Sequence, residues 1–138
     1  MPYWPRFMER VAAALKPGGR AALQFIAIDD AVFDAYAANA DFIQTYVFPG
    51  GMLVSESRLR TAADRAGLEW RDRATYGLDY AETLRRWRVR FDAAVEGGRL
   101  PAGFDAAFVR LWRYYLMYCE GGFRGGGIDQ VQVTLVKR

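Results

Sequence analysis

Apolar residues first recur at helical spacing in Trp4, Phe7, Met8, Val11 and Leu15, and Lys16-Pro17-Gly18-Gly19 follows with residues that stop a helix. The spacing predicts an amphipathic helix over 4–15 closed by a tight turn. Arg20 to Ile28 (RAALQFIAI) is a short apolar run with β-branched and aromatic members, bounded by Gly19 and by Asp29-Asp30, and reads as a buried strand. Helix, turn and buried strand form one unit of an α/β fold with a mainly parallel sheet. Residues 31–47 are alanine-rich with Phe33, Tyr36, Phe42, Ile43 and Tyr46, and predict one helix that ends at Phe48-Pro49-Gly50-Gly51. Ser55 is placed to cap a short helix through Leu59, Ala62, Ala63 and Ala66, ended by Gly67. Leu68 to Tyr76 (LEWRDRATY) alternates enough for a strand with one wetter face, near a sheet edge.

The second half is dominated by helix. Asp79 and Glu82 have the D-x-x-E spacing of a capping box, and Tyr80, Leu84, Trp87, Phe91, Ala94 and Val95 repeat behind it every three or four residues. Phe104, Phe108, Leu111, Trp112, Tyr115, Leu116 and Cys119 repeat the pattern after a loop with Gly97, Gly98, Pro101 and Gly103, which predicts an antiparallel helical hairpin. Gly121 to Gly127 breaks the second helix, and Ile128, Val131, Val133, Leu135 and Val136 make a closing strand. No repeat or long linker divides the chain, so 1–138 reads as one unit with a helical insert at about 79–122.

Composition narrows the chemistry. With 138 residues, 52% hydrophobic and 25% charged, the chain is a globular domain or part of one, not a disordered or collagen-like segment. No run approaches the ~18–20 apolar residues that span a bilayer, and Met1-Pro2-Tyr3 does not begin a basic-then-apolar leader, so a cytoplasmic location is expected. The single cysteine, Cys119, cannot form an internal disulfide and fits a reducing compartment. Histidine is absent, which removes Ser-His and Cys-His dyads and the commonest zinc ligand. Acid–base work here falls to carboxylates, tyrosines or a bound group. A net charge of +3 does not call for nucleic acid, and no such partner is expected. Phosphate cradles need a strand, then glycines, then a helix; Pro17-Gly18-Gly19 and Gly125-Gly126-Gly127 both pass from helix to strand, so neither qualifies.

Five segments together resemble a known family. Tyr3-Trp4-Pro5 with LKPGGRAALQ, DFIQTYVFPGGML at 41–53, DYAETLRRW at 79–87 and WRYYLMYCEGGFRGGGIDQVQV at 112–133 are similar to the C-terminal half of cyclopropane-fatty-acyl-phospholipid synthases, relatives of the mycolic acid cyclopropane synthases. The resemblance covers essentially the whole chain. It implies the last three strands of a Rossmann-like class I methyltransferase sheet, with the helical hairpin inserted before the final strand to cover the lipid. The implied reaction transfers the methyl of S-adenosylmethionine to a cis double bond in a phospholipid acyl chain; the resulting carbocation then loses a proton as a cyclopropane closes. The family's glycine-rich adenosylmethionine loop and acidic ribose-binding residue have no counterpart in this sequence, so weak or absent activity of the chain by itself is expected.

The proton must leave in a water-poor site, and in this family a bound bicarbonate is thought to receive it. A buried anion needs hydrogen-bond donors. By the resemblance, Tyr80 falls on the tyrosine that binds the anion, Ile26 on the position that contributes a backbone group, and Gln24 on a position that is histidine in the best-known members. A glutamine amide can donate a hydrogen bond but cannot titrate, which suits an anchor rather than a base.

Plainer readings stand beside these. Tyr80 opens an apolar stripe and suits core packing; Cys119, on the inner helical face, suits a small buried hydrophobe. Arg85-Arg86-Trp87-Arg88-Val89-Arg90 is by default a solvated helix face, with a contact for anionic headgroups at a peripheral membrane surface, or for nucleic acid, as the alternatives. Phe42, Tyr46, Phe48 and the hairpin aromatics suit an acyl tunnel or ordinary core. A partial sheet exposes a strand edge and apolar area, which favours association, including a homodimer, and makes a non-catalytic lipid- or partner-binding module the alternative function.

Overall fold

The computed structural model describes residues 3–138; Met1 and Pro2, read above for a leader, lie outside the described residues. The order is α1 (Tyr3–Ala14), β1 (Arg20–Ile28), α2 (Asp30–Ala38), α3 (Phe42–Tyr46), β2 (Val54–Ser55), α4 (Glu56–Arg65), β3 (Leu68–Thr75), α5 (Gly77–Glu96), α6 (Ala106–Arg124) and β4 (Ile128–Lys137). The four strands lie in the order β2-β1-β4-β3. β1 pairs in parallel with β2, whereas β4 runs antiparallel to both β1 and β3. Three strands therefore share a direction, but most of the pairing is antiparallel. The expected mainly parallel sheet is corrected to a mixed one, because the closing strand inserts between two strands that would otherwise be parallel neighbours.

Helices cover both faces of the sheet. On one face Met8 and Ala12 of α1 meet Leu59, Ala62 and Ala63 of α4 over Leu68, Val133 and Leu135, with Ala21, Leu23 and Phe25 packed around them. On the other, Ala81, Leu84, Leu116, Cys119 and Phe123 of the α5–α6 hairpin gather Ile26 and Ile128 at one end of the strands. The alternation of β1 explains this division, since residues two apart share a face. Ion pairs fix the antiparallel sense of the hairpin: Asp92 meets Arg113 at 2.5 Å, Arg88 meets Glu120 at 3.6 Å, and Glu82 meets Arg124 at 3.9 Å.

Other boundaries depart from the pattern for local reasons. The helix expected over 31–47 is two, because Asn39 is extended and Asp41 starts a new one: its carboxylate accepts from Gln44 N at 2.8 Å, and the Gln44 side chain accepts from Asp41 N at 3.0 Å. No capping box forms at Asp79 and Glu82. α5 starts earlier, its N-cap is Tyr76 with no side-chain cap, and Glu82 is bound by Arg85 and Arg86. α6 is not broken at Gly121 but runs to Arg124. β2, only two residues long, adds a fourth strand to the three expected. Ser55 does cap α4, accepting from Arg58 N at 3.4 Å, and β3 does lie at an edge, with a register shift between Arg71 and Ala74 where Asp72 takes a positive φ.

Candidate functional site

A cleft of about 620 Å³ opens where β1 ends, between α2, α3, the 48–53 loop and the C-terminal half of α6. Ile28, Ile43, Phe48, Leu53, Met117 and Ile128 give it an apolar wall, and Asp41 is its single charged lining residue. Three features of the chain create it. Asp41 caps the start of α3, which crosses the strand end. The Tyr36 hydroxyl accepts from Leu53 N at 3.0 Å and so pins the loop to α2. Gly121 and Gly122 remove side chains from the α6 wall. A Cβ on Gly122 would stand 3.0 Å from Ile128 Cδ1, so the helix lies as close to β4 as it does only without one; a Cβ on Gly121 would meet open space.

The three predicted site residues are distributed unequally. Ile26 and Tyr80 belong to the same apolar cluster, where the Tyr80 ring lies 5.0 Å from Phe123 and 6.2 Å from Trp87. The Tyr80 hydroxyl has no hydrogen-bond partner among the described residues. Gln24 is on the same sheet face as Ile26, two residues back, but it is exposed, beyond the part that the hairpin covers. The strand expected to be buried is corrected at Gln24, because the hairpin covers its face only from Ile26 onward. Gln24 does find a partner: Gln132 Nε2 donates to its Oε1 at 2.8 Å.

Ladder geometry settles where Ile26 directs its peptide groups. Gln130, opposite Ile26, sends its carbonyl to Tyr76 N at 2.9 Å on the β3 side. Ile26 and Gln130 therefore form a non-hydrogen-bonded pair, and the N–H and C=O of Ile26 face away from β4, toward the edge that β2 pairs only at Ala27 and Ile28. A backbone group at Ile26 is thus directed at the sparsely paired side of the sheet. The residues fit a small anion in part: a phenol with no partner, an amide with a spare N–H₂ and an edge-facing backbone all serve one end of one face, yet the face is open at Gln24.

The cleft and the Ile26–Tyr80 cluster share Ile43, Cys119 and Ile128. Burial controls the titratable groups here. It pushes the Cys119 thiol up to about 11 and the Tyr115 phenol up to about 12, and raises Tyr36 and Tyr118 as well. All four stay neutral near neutral pH, so the region holds hydrogen-bonding groups without a thiolate or phenolate nucleophile. Cys119 is a small buried hydrophobe, as its place on the inner helical face predicts. Among the expected tunnel aromatics, Phe48 and Tyr118 line the cleft, while Phe42 stacks its edge on Tyr114 at 4.6 Å beside it. The arginine-rich turn of α5 is largely paired, with Arg85 and Arg86 on Glu82 and Arg88 on Glu120.

Sequence reasoning passed over Asp41, Tyr36 and the paired glycines as cleft-forming groups, and Gln130 and Gln132 as companions of Gln24. The one available signal was in β4, where polar Gln130 and Gln132 alternate with Val131 and Val133 in an otherwise apolar strand.

A sheet whose last strand is antiparallel between two like-directed neighbours, with a ligand-sized cleft beyond the carboxyl end of a strand, is a partial Rossmann-like sheet of the class I methyltransferase type. The mycolic acid cyclopropane synthase CmaA1, in a crystal structure complexed with SAH and CTAB, matches it with a TM-score of 0.85 and 25% identity, over 99% of this chain and 50% of that one. The description "mycolic acid cyclopropane synthetase" belongs to the family that matches residues 2–133, and this chain is a member of that family. The tuberculostearic acid methyltransferase UfaA1 of Mycobacterium tuberculosis is 38% identical over 135 residues, which are 97% of this chain and 31% of the relative. A cyclopropane-fatty-acyl-phospholipid synthase of Escherichia coli K12 is 33% identical over 97 residues, 70% of this chain and 25% of the relative. The chain thus spans a third or less of these curated relatives.

Proposed function

We propose that this chain is the acyl-binding part of an S-adenosylmethionine-dependent methyltransferase that methylates a cis double bond in a phospholipid acyl chain and closes a cyclopropane. The observation that supports it most is the continuity of a nearly apolar cleft of about 620 Å³ with the cluster holding Ile26 and Tyr80. A methylene chain gains roughly 0.8 kcal/mol per buried CH₂, and a cleft with one charged lining residue loses little of that to polar desolvation.

In this reading S-adenosylmethionine supplies the electrophilic methyl, and a bicarbonate the base for the proton released on ring closure. The part this chain's residues play is to seat the alkene and exclude water from it. Tyr80 presents an unpaired hydroxyl as donor to the anion and an aromatic face, flanked by Trp87 and Phe123, to positive charge developing on the lipid. Ile26 turns its N–H to the sparsely paired edge of β1, and Gln24 adds a neutral amide that holds an anion without competing for the proton. A methyl-branched product is the second reading, favoured by the 38% identity to a tuberculostearic acid methyltransferase and by the non-titrating Gln24.

The test supplies purified protein with adenosylmethionine and vesicles of cis-unsaturated phospholipid, then reads acyl mass and proton spectra. A gain of one methylene with cyclopropyl protons supports the proposal, and the same gain with olefinic protons retained moves it to the branched product. Turnover by the chain alone is expected to be weak. Acyl binding without any mass gain, even at prolonged incubation, would favour a lipid-binding module, and no binding at all would overturn the proposal.

A further inference from the structure

We infer that Arg85, Arg88 and Arg124 form a subsite on the seam of the α5–α6 hairpin for the phosphodiester of a phospholipid headgroup. The inference rests on the lipid reading proposed above and deepens it, by placing the charged end of a substrate whose acyl chain the apolar cleft takes.

Six side chains make one connected network across the seam. Glu82 holds Arg85 at 2.8 Å and Arg86 at 2.9 Å and lies 3.9 Å from Arg124. Arg124 in turn meets Glu120 at 2.9 Å, and Glu120 lies 3.6 Å from Arg88. Four guanidiniums thus share two carboxylates, which leaves the cluster with a net charge of +2. Each carboxylate is already taken at short range, Glu82 by Arg85 and Arg86, and Glu120 by Arg124. The surplus positive charge is relieved by an anion that joins the cluster.

Arg88 is its least satisfied member. The Nε is sealed from solvent and has no hydrogen-bond partner among the described residues, and the one carboxylate near this side chain stands at 3.6 Å, beyond ordinary hydrogen-bond reach. Leaving a donor of a charged group buried and unpaired costs free energy in the empty state, and a ligand that pairs with it recovers that cost. Guanidinium is a planar fork, so Nε and one Nη together match two oxygens of a single phosphate. With 32% of the side chain exposed, the Nη end is open to a phosphate arriving from solvent, and a turn about the last bonds of the side chain brings Nε to the second oxygen.

Two other readings fit less well. A purely structural pair closes short and on both prongs, as Arg85 does on Glu82 with Nε and Nη2 each at 2.8 Å, whereas Arg88 does not close on Glu120. A nucleic-acid face needs positive surface that continues along the helix, but the next pair on the seam, Asp92 with Arg113, is neutral. Placement favours the lipid, because Glu120 sits between Cys119 and Gly121, both of which line the cleft.

The test titrates the intact chain with dimethyl phosphate, a soluble phosphodiester, and with vesicles of unsaturated phosphatidylglycerol. A fluorescent fatty acid, which carries no phosphate, reports the cleft separately. Dimethyl phosphate is expected to raise the melting temperature of native protein saturably, and more than chloride at equal ionic strength. Arg88→Met should weaken phosphate and vesicle binding about tenfold or more, the worth of a charged hydrogen bond, and leave fatty-acid affinity unchanged. It should also melt no lower than native protein without phosphate, because the orphaned donor leaves with the charge. A merely structural Arg88 would instead lower that melting temperature and leave phosphate affinity intact. Arg88→Lys, which keeps the charge without the fork, should bind phosphate more weakly than native protein, and it carries the test should the methionine variant not fold. Arg10→Gln, on α1, should bind as native protein does. If native protein shows no saturable phosphate response, or an Arg88 variant binds phosphate as tightly as native protein, the inference fails, and fatty-acid binding keeps the acyl reading standing. Native protein that binds no fatty acid overturns both. Tighter binding of an oligonucleotide than of the vesicles would reassign the cluster to nucleic acid and overturn the headgroup.

Discussion

A methyl group added to Gly77 would stand 2.5 Å from Oδ1 of Asp129 and 3.5 Å from Cδ1 of Phe123. This first residue of α5 is therefore glycine because β4 passes against the helix start, and it sets how closely the hairpin, with Tyr80 in its first turn, lies on the sheet. Gly77→Ala is expected to lower stability by about 1 kcal/mol, as the gain of alanine in a helix is outweighed by displacement of Asp129. Gly77→Ala with Asp129→Ala should regain the loss. Urea denaturation of the two variants checks this, and equal midpoints for both would contradict it.

Gly121 makes the contrasting case. A Cβ there meets open space within the cleft. Gly121→Ala should stabilise α6 by roughly 0.5–1 kcal/mol through reduced unfolded-state freedom. Gly121→Phe should leave the melting temperature nearly unchanged yet occupy the cleft. Titration with a fluorescent fatty acyl probe would then show at least a tenfold loss of affinity; unaltered binding would place the acyl chain elsewhere.

Cys119 should be inert toward thiol reagents. With its thiol held up at about 11 by burial, only about a thousandth is thiolate at pH 8. Modification by a disulfide reagent should be at least tenfold slower in folded than in urea-unfolded protein, and slower still with an acyl chain in the cleft. Rapid labelling of native protein would show that the α6 wall opens readily.

Acid should loosen the hairpin from its own charges. Arg85 and Arg86 hold the Glu82 carboxyl down to about 2 from an ordinary 4.5. A lowered folded value means that the stabilisation is complete above pH 4.5 and disappears as pH falls toward 2. These side chains are solvent-exposed, so the effect is small and salt-sensitive. Melting curves between pH 2 and 6 for native protein and Glu82→Gln should converge at the acid end; a constant separation would exclude the pairing as the cause.

Much of this arrangement is legible in the chain because helices bury stripes. α1, α4 and the hairpin announce themselves by apolar positions three and four apart, and β1 by an apolar run between breakers. What escaped was decided by competition between partners. Asp41 had a choice between continuing a helix and capping a new one, and Gln44 completed the cap. Glu82 could have reached back to a helix start but found two arginines nearer. Gly121 and Gly122, breakers by propensity, stay helical because the gap they leave is filled by Ile128 on one side and is the cleft on the other. Of the candidate site, Tyr80 and Ile26 could be singled out only by motif, and the bond from Gln132 to Gln24 joins residues 108 apart, a separation that no local pattern reports.

Among the described residues, β4 is the only strand that touches both β1 and β3. During synthesis the helices can form as they leave the ribosome, but β1 must wait for more than a hundred further residues before its antiparallel neighbour exists. Until β4 is released, β1 has only the two-residue β2 beside it and β3 has no partner strand among the described residues. A chaperone, or the loss of β4, would therefore act at the step that joins the two sides of the sheet.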